Sequence, residues 1–451
     1  MRRRGWMAAA VSLMALLLVA ACGSSGSSGN KTIKVAFQNY GNSIMLDWMK
    51  GIAGQFEKQY PGDKVQLVPI NASENAYYTK LDLSQKSAST APDIMYEDTF
   101  LINSDVASGY VKPITKYVKA WDEWNQFYPT AQNAARGTDG EIYGVPMGTD
   151  TRALYYNKSL LQQAGVHVPW DPKNWNDILS AARAVKANDP GVVPLNVYSG
   201  TPAGEASTMQ GFEMLLYGTP NPGTLYNLKT NKWVAPSPGF ESSLQFLQTI
   251  YSQGLAEPAS TELSGNIGNE VGQQYLPQGK LAIDLDGSWI PDNWIAGGPS
   301  PWPQYSTALG VAPMPTQNGQ SPGKVTLSGG WTLSISSKSQ KAQEAWNFIK
   351  LALNKDNSAA YDIASAGIAV RKDVAQDPKY LAGNAFVKTF TGLVPYTHYR
   401  PAYPVYPQIS NAIQTAMESV MTGQQSPAQA QAAYVSTLKN LVKSNQIEPA
   451  G

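Results

Sequence analysis

An acidic and a basic side chain stand two positions apart in GVPMGTDTRALYYNKSLLQQAG, residues 144–165. Asp150 and Arg152 follow a proline and two glycines and directly precede an apolar, aromatic run. A carboxylate can accept hydrogen bonds from neighbouring hydroxyl groups, and a guanidinium can donate a planar fork of hydrogen bonds. These residue types suit the recognition of a polar ligand.

A second pair of acids, Glu97 and Asp98, ends a strand predicted over 92–98. We expect at least one of the two to contact ligand, because a carboxylate binds hydroxyl groups without requiring a charged partner. The alternative is a solvated or helix-capping acid, since Asp98 also precedes a predicted short helix. Arg371 and Arg400 can each donate to ligand hydroxyls or to Asp150, with a surface ion pair as the alternative.

Several aromatic residues stand beside Gly, Pro, Asn or Asp in predicted loops, where a ring can stack on the apolar face of a ligand. The candidates are Tyr40, Trp289, Trp331, Tyr403 and Tyr406. Trp289 follows Gly287 and Ser288 at a predicted strand end, which favours stacking over packing beneath a loop. For Trp331, packing in the core is an equal rival.

Residues and motifs for metal sites, catalytic triads and phosphate binding are scarce in this chain. His167 and His398 are the only histidines, so a histidine zinc site or a Ser-His-Asp triad is poorly provided for. No G-x-S-x-G or phosphate loop occurs, and DLDG at 284–287 lacks the later ligands of a calcium loop. We therefore expect no metal and no cofactor.

The elements that must position these residues follow an α/β pattern. Strands are predicted at 31–37, 64–70 and 92–98, with helices between them, and the alternation resumes after residue 150. Further helices are predicted at 158–164, 174–187, 205–217 and 239–253, and strands at 193–198, 280–285 and 308–312. One last helical stretch is predicted from about 407 to 445.

The N-terminus has the pattern of an export signal. MRRRGW is followed by fifteen mostly apolar residues, fewer than the roughly 20 that a membrane span needs. The run ends in Val19-Ala20-Ala21-Cys22, which resembles the lipobox of bacterial lipoproteins, with an ordinary secretory signal as the alternative. This predicts a signal peptide over 1–21, lipidation of Cys22 and a flexible tether over 22–30.

Charge argues against a nucleic-acid partner. Without Arg2, Arg3 and Arg4, 31 basic residues face 33 acidic ones, so no basic field remains.

Five segments, in order, resemble the extracellular solute-binding proteins of ABC sugar importers, the group that includes maltose-binding protein. They are FEKQYPGDKVQL, APDIMYED…SGYVKPI, GEIYGVPMGTDTRALYYNKSLLQQAG, LPQGKLAIDLDGSW and GGWTLSISSKSQKAQEAWNFIKLAL. The likeness runs from about 31 to 445. It implies a two-lobed α/β periplasmic-binding-protein fold (type II), with lobe 1 at 31–145 and 331–368 and lobe 2 at 148–328 and 370–451.

The resemblance also implies roles for residues. Asp150, four positions after Pro146, matches an acid that binds sugar hydroxyls, and Trp289 matches a tryptophan on which maltose-type ligands stack. Asn39, Tyr40 and Asn42 match a ligand-touching loop, although Asn42 can equally cap a helix. Tyr403 and Tyr406 lie where the family places another stacking aromatic.

The implied function is non-catalytic: capture of a mono- or oligosaccharide by hinge closure, and delivery to an ABC permease by a lipid-anchored monomer. The family often has an aromatic near Glu97 and Asp98, so the sugar stays open, and a polyol or glycerophosphodiester is an alternative ligand. A secreted hydrolase is the enzymatic alternative, with a carboxylate pair drawn from Glu97, Asp150, Asp284 and Asp286. A structural adhesin is a third class.

Overall fold

The computed structural model describes residues 32–220 and 223–450, so the predicted signal peptide, Cys22 and the tether lie outside the described residues. Two sheets dominate the structure. The first has five strands, in spatial order Lys64–Ile70, Thr32–Gln38, Ile94–Asp98, Trp331–Ile335 and Gly144–Pro146. The strand Thr32–Gln38 pairs in parallel with both of its neighbours, and Trp331–Ile335 runs antiparallel to both of its own.

The second large sheet has four strands, in spatial order Leu309–Ala312, Arg152–Asn157, Leu281–Gly287 and Val193–Asn196. Leu154 and Tyr156 share one face of their strand and lie in the larger hydrophobic core, as the alternating pattern predicts. Two small sheets complete the strands. One of them consists of Met314–Pro315, Lys324–Leu327 and Thr397–His398. The other consists of Tyr226–Asn227, Lys232–Val234 and Ile447–Glu448.

Helices cover both sheets. The α-helices up to residue 216 are Ile44–Gln59, Glu74–Ser84, Ile102–Ser108, Thr115–Lys119, Pro129–Ala134, Lys158–Gln163, Trp175–Asn188 and Met214–Leu216. The later ones are Pro238–Ser252, Ala259–Glu262, Ile267–Glu270, Tyr305–Ala308, Ala342–Ala352, Lys355–Ala364, Lys372–Ala375, Pro378–Gly383, Val387–Thr391, Tyr406–Met421 and Pro427–Leu441. Ala206–Glu213 and Val271–Tyr275 are π-helical. Short 3₁₀ turns are Asp122–Gln126, Thr201–Ala203, Ile290–Asn293, Val394–Tyr396 and Ser444–Gln446.

The helix Ile44–Gln59 shows how the pattern produces the packing. Met45, Met49, Ile52 and Phe56 recur at helical spacing, and all four are buried in the core beside the first sheet. The predicted stretch 407–445 is instead two helices. Gly423 adopts a left-handed φ of 73°, and Ser426 starts the second helix through a capping box with Gln429.

Three crossings join the lobes. Gly144–Pro146 leads into Arg152–Asn157, and Lys324–Leu327 leads into Trp331–Ile335. The third lies beside the first, where Thr149 forms a bridge with Ile368. Val370 packs in the core of the first sheet and Arg371 forms a bridge with Phe127, so first-lobe packing continues beyond the predicted boundary at 368–370.

Among the residues that the structure describes, none of the helices is both long and apolar enough to cross a membrane.

Candidate functional site

A cleft of about 450 Å³ opens between the two lobes and is lined by residues of both. The first lobe contributes ends of its strands, including Tyr96, Asp98 and Trp331. The second contributes Asp150, which follows a crossing, and Trp289, which follows a strand. Loops outside the carboxyl ends of strands are where ligands bind in open α/β sheets, so this is the candidate site.

One aromatic wall of the cleft belongs to the first lobe. The Trp331 ring stacks on the ring of Tyr96, with centroids 4.2 Å apart and planes 4° from parallel. Tyr78 lies on the same cluster, with its ring centroid 5.9 Å from that of Trp331. Trp331 is only partly buried and lines the cleft, so it both packs on its neighbours and presents indole surface to the cavity.

The second aromatic wall is Trp289, whose ring lies back over its own strand. A methyl carbon added to Gly287 would stand 2.0 Å from the Trp289 ring, so only glycine leaves room for it. The Arg152 guanidinium lies 4.8 Å from the centroid of that ring, within the range of a cation–π contact. The ring is therefore held in place at the edge of the cleft.

Asp150 lies at the crossing between the lobes, as the sequence predicts for the residues that follow Gly148. Its Oδ1 accepts a hydrogen bond of 2.8 Å from the Gly329 amide of the neighbouring crossing, and it forms an ion pair with Arg152. Arg152 also donates to the carbonyl of Leu327 over 3.2 Å. These partners fix the carboxylate while leaving it part of the cleft lining.

Arg400 ties the two lobes together inside the site. It donates to Asp98 of the first lobe over 2.8 Å and to Glu205 of the second over 3.0 Å, and all three side chains are buried. Burial raises the pKa of Asp98 and of Glu205, and the positive charge of Arg400 opposes both shifts. Arg400 thus forms a buried ion pair with Asp98 and another with Glu205. It forms neither the surface ion pair nor the hydrogen bond to Asp150 that the sequence left open.

Side chains also meet across the rim of the cleft. Asn42 Nδ2 donates to Asp292 Oδ2 over 3.1 Å, while its Oδ1 accepts from the Ile44 amide over 3.0 Å. Asn42 therefore binds the first amide of the helix Ile44–Gln59 and also contacts the opposite lobe, while its contact with ligand stays a prediction. Gln273 donates to the carbonyl of Gly41 over 3.2 Å. In this conformation the two lobes touch around the cavity.

The cleft lining carries far more acid than base. Its basic side chains are Arg152 and Arg400. Its acidic side chains are Glu74, Asp98, Asp150, Glu205, Asp286, Asp292 and Asp362. Burial raises the pKa of Glu74 to about 7 and that of Asp286 to about 6. The site therefore disfavours an anionic ligand and supplies many hydrogen-bond acceptors.

Of the predicted site residues, the structure brings eight together in the lining of the cleft. They are Tyr40, Asn42, Asp98, Asp150, Arg152, Trp289, Trp331 and Arg400.

Glu97 is not among them. It is buried on the opposite face of its strand from Asp98, near Asp105 and Asp82. Burial raises the pKa of Glu97 well above its ordinary value. Because neighbouring residues of a strand point to opposite faces, only one of the adjacent acids can reach the cleft.

Four further predicted residues lie outside the cleft lining. Arg371 is 1% exposed and donates to Glu123 and Asp373 over 2.7–3.0 Å. Asn39 donates to Asn71 over 2.7 Å on the first lobe. Tyr403 packs on Tyr226, at 4.4 Å between centroids.

Tyr406, the fourth of these, is fully buried and donates to Glu213 over 2.8 Å. Its predicted stacking role is corrected by this placement, because it begins a helix whose apolar face packs into the second-lobe core.

Several cleft residues were missed by the sequence reading. They are Glu74, Tyr96, Glu205, Asp292, Tyr361 and Asp362. Asp292 lies three positions after Trp289 of the DGSW segment already singled out, and Tyr96 lies two positions before Asp98 on the same strand face. These spacings were usable signals. Glu205 and Asp362 come from distant loops and helices, and no local pattern marks them.

Of the four acids considered for a hydrolytic pair, only Asp150 and Asp286 line the cleft. Asp286 accepts from Tyr198 over 2.7 Å and from the Gly287 amide over 2.6 Å. Within residues 32–220 and 223–450, no group of three or more His, Cys, Asp or Glu side chains is arranged to hold a metal ion.

Two α/β lobes joined by crossing strands, with a polar and aromatic cleft between them, define the periplasmic-binding class of proteins. Solved structures of this class superpose on nearly the whole chain. The GacH receptor of Streptomyces glaucescens, solved unliganded and with acarbose, gives a TM-score of 0.77 at 23% identity over 92% of this chain and 99% of that one. A solute-binding protein of Thermotoga lettingae bound to α-D-tagatose gives 0.76 at 23% identity over 92% and 100%.

Comparison of the sequence with a family model establishes the family of the chain. The chain belongs to the bacterial extracellular solute-binding proteins, whose family model matches residues 42–359, well over half of its length. Among curated relatives, the galactooligosaccharide-binding protein of Bacillus subtilis is 24% identical over 450 residues, covering 97% of this chain and 96% of that protein.

Proposed function

We propose that this protein captures a mono- or oligosaccharide between its lobes and delivers it to the permease of an ABC importer. The observation that carries the proposal is the pairing of Trp331 on one lobe with Trp289 on the other, both lining a cleft rich in carboxylates. Indole rings stack on the apolar faces of sugar rings, and carboxylates accept from their hydroxyls. The relatives named above that bind galactooligosaccharide, acarbose or tagatose support the same ligand class.

The charge of the cleft narrows the choice among the alternatives. A glycerophosphodiester carries a phosphate anion, which the seven acidic side chains of the cleft lining disfavour. The two arginines of the lining are already paired with acids, so neither is free to bind that anion. A neutral sugar or polyol meets no such penalty. The ligand is therefore expected to carry hydroxyl groups and no negative charge.

The chain's place in transport follows from the signal at its N-terminus. Export through residues 1–21 and lipidation at Cys22 would hold the protein at the outer face of the cytoplasmic membrane. A monomer would dock its closed form on the permease, and a separate ATPase would supply the energy for transport. Radiolabelled palmitate should label the wild-type protein in its host and leave Cys22→Ala unlabelled.

A thermal-shift screen against neutral mono- and oligosaccharides and polyols tests the proposed ligand class. A ligand at about 100 times its dissociation constant adds roughly 2.7 kcal/mol to the free energy of unfolding. Trp289→Ala should abolish the shift produced by the hit, because it removes a stacking face, while moving the melting temperature of the free protein little.

Trp124→Ala is the matched control, since Trp124 packs on Phe127 and does not line the cleft. It should leave the ligand-induced shift intact. If no sugar or polyol in the screen shifts the wild-type protein, the proposed function is wrong. Prolonged incubation with the hit should leave it intact, and conversion to a product would favour the hydrolase instead.

A further inference from the structure

One tyrosine behind the wall of the cleft contacts three of the side chains that line it. The phenol oxygen of Tyr78 lies 2.7 Å from Glu74 Oε1 and 2.8 Å from Asp98 Oδ2. Its ring packs on that of Trp331, with centroids 5.9 Å apart and planes 30° from parallel. Glu74, Asp98 and Trp331 line the cleft, whereas Tyr78 itself does not. Any role of Tyr78 in binding must therefore act through these three neighbours.

The ring of Tyr78 is also held from a second side. It lies edge-on to the ring of Phe100, with centroids 5.6 Å apart and planes at 78°. The guanidinium of Arg400 lies over Phe100, 4.1 Å from the ring centroid, and also donates to Asp98. The phenol therefore has little freedom to move away from the two carboxyl groups that it contacts.

The two contacts of this phenol require two protons. A phenol has one O–H group, so Tyr78 can donate to only one of the two carboxyl groups at a time. If both acids were ionised, the other contact would bring two oxygen atoms together with no proton between them. The second proton must therefore belong to one of the acids, which donates it to the oxygen of Tyr78.

Asp98 is the acid that stays ionised. Its Oδ1 accepts from Arg400 over 2.8 Å and from the Phe100 amide over 3.3 Å, and both donors favour the carboxylate. Glu74 forms no ion pair among the described residues. The arrangement that satisfies both contacts has Glu74 donating to Tyr78 and Tyr78 donating to Asp98.

The charges around Glu74 agree with a proton on this side chain. Burial and the negative charges of Asp98 and Glu205 raise the pKa of Glu74 to about 7. A hydrogen bond that Tyr78 can donate to the ionised form and the positive charge of Arg400 oppose the shift. Loss of the proton would place a negative charge near Asp98 of the same lobe and Glu205 of the other, which disfavours closure.

We propose that Tyr78 is a positioning residue of the binding site, whose phenol joins Asp98 to a protonated Glu74, and that affinity for sugar falls when Glu74 loses this proton. The inference rests on the proposed function for its ligand, and adds to it a residue and a pH dependence. With the proton in place, the second oxygen of Glu74 has a fixed position from which to accept from a hydroxyl group. Without it, Tyr78 has one proton for two anions, so one carboxylate of the lining loses its position.

Calorimetric titration of the mature protein at pH 6, 7 and 8 tests the pH dependence. The probes are D-glucose, D-galactose, maltose, cellobiose and maltotriose, together with the hits of the wider screen. With a pKa of about 7, protonated Glu74 is the major form at pH 6 and the minor form at pH 8. If only the protonated form binds, Kd should rise about tenfold between these two pH values.

Glu74→Gln replaces the titrating group by an amide, whose N–H can donate to Tyr78 at every pH. Its Kd should change less than threefold between pH 6 and pH 8. Glu141→Gln is the matched control, because Glu141 is exposed and lies outside the cleft lining. It should keep the tenfold dependence of the wild-type protein. Circular dichroism at both pH values checks that each variant is folded.

Tyr78→Phe keeps the aromatic ring and removes only the hydroxyl group. It should weaken binding at pH 6 by about fivefold or more, because Glu74 and Asp98 lose the group that joins them. Tyr60→Phe removes the same atom from a ring that packs on Phe56 outside the cleft lining, and should leave the affinity unchanged.

A measurement without ligand separates the proton from the binding of sugar. In protein labelled with carbon-13 at the side-chain carboxyl of glutamate, the NMR signal that is absent from Glu74→Gln identifies Glu74. Its chemical shift should titrate with a midpoint near pH 7, the pKa expected for this carboxyl. Asp98→Asn should move the midpoint to lower pH, since it removes a neighbouring negative charge.

Four results would overturn the inference: a Glu74 signal that titrates below pH 5, a wild-type Kd that changes less than threefold, a pH dependence that survives in Glu74→Gln, or wild-type affinity in Tyr78→Phe. In each case, binding of a neutral sugar would leave the proposed function standing. If no probe binds at any pH, the proposed function fails and the pH-dependent affinity fails with it. The NMR titration then still decides whether Glu74 holds the proton.

Discussion

At the residue scale, the position of one aromatic ring depends on a glycine two residues earlier. The Trp289 ring lies where a side chain at Gly287 would be, within 2.0 Å of an added methyl carbon. Gly287→Ala should therefore displace the ring and weaken ligand binding about tenfold, comparable with losing a stacking contact and part of its buried area. Calorimetric titration with the hit of the sugar screen measures this.

Gly54→Ala is the control for that substitution. A methyl group there meets nothing within 4 Å, and the position is helical, so affinity should stay constant and stability should rise by up to about 1 kcal/mol. Wild-type affinity in Gly287→Ala would show that the ring's position does not matter for binding.

Single residues also show how far sequence reasoning reaches. Asp150, Trp289 and Trp331 were predicted because each stands close to a glycine where a strand begins or ends, and all three line the cleft. For Glu97 and Asp98 the sequence predicts only that one of the two acids reaches the cleft. Neighbouring side chains of a strand point to opposite faces, but the sequence does not show which face is next to the cleft. Asp362 was missed because its position depends on the packing of a helix from a distant part of the chain.

At the element scale, the crossings are built with almost no space between them. Gly330 has a φ of 150°, and an added methyl carbon would stand 2.5 Å from the carbonyl oxygen of Gly148 on the neighbouring crossing. Gly330→Ala should thus lower the free energy of unfolding by about 1–3 kcal/mol and reduce the compaction that ligand produces. Urea denaturation and small-angle X-ray scattering, with and without ligand, measure the two effects.

Gly51→Ala provides the comparison, since its methyl group would meet nothing within 4 Å and it lies on a helix remote from the crossings. Its scattering profile should match the wild type in both states. If Gly330→Ala retains full stability and full compaction, close packing of the crossings is not required for closure.

Elements themselves were mostly predictable from periodicity. The strands Thr32–Gln38, Lys64–Ile70 and Ile94–Asp98 and the helix Trp175–Asn188 agree with their predicted ranges to within two residues. The helical stretch predicted from about 407 to 445 consists of two helices, because apolar spacing continues on both sides of Gly423 while the backbone turns there.

At the scale of the whole molecule, buried carboxyl groups make stability depend on pH. Burial raises the pKa of Glu213 and of Glu262 each to about 8, although a hydrogen bond from Tyr406 opposes the shift of Glu213 and one from the Ser199 amide opposes that of Glu262. A folded-state pKa above the unfolded value means that the native state binds the proton more tightly. The stabilisation is complete below about pH 4 and is lost as pH rises through 8.

We therefore expect the free energy of unfolding to be larger at pH 5 than at pH 8, by more than about 1.4 kcal/mol, the equivalent of one pKa unit. Urea denaturation at both pH values measures the difference. Glu213→Gln should reduce it, because a neutral amide cannot titrate. A free energy that stays level or increases from pH 5 to pH 8 would contradict this prediction. Asp47 and Glu57, whose pKa is lowered by hydrogen bonds, lose their contribution only at more acidic pH.

The two ends of the described chain are attached to different lobes. Thr32 starts a strand of the first sheet, whereas Ile447–Glu448 pairs with Trp233 and Val234 in the second lobe. Movement of one lobe relative to the other therefore displaces these two points relative to each other. A donor fluorophore near Thr32 and an acceptor near Glu448 would convert ligand capture into a change in energy transfer, with no label placed near the binding residues. The architecture thus lends itself to a genetically encoded optical sensor for whatever the protein binds.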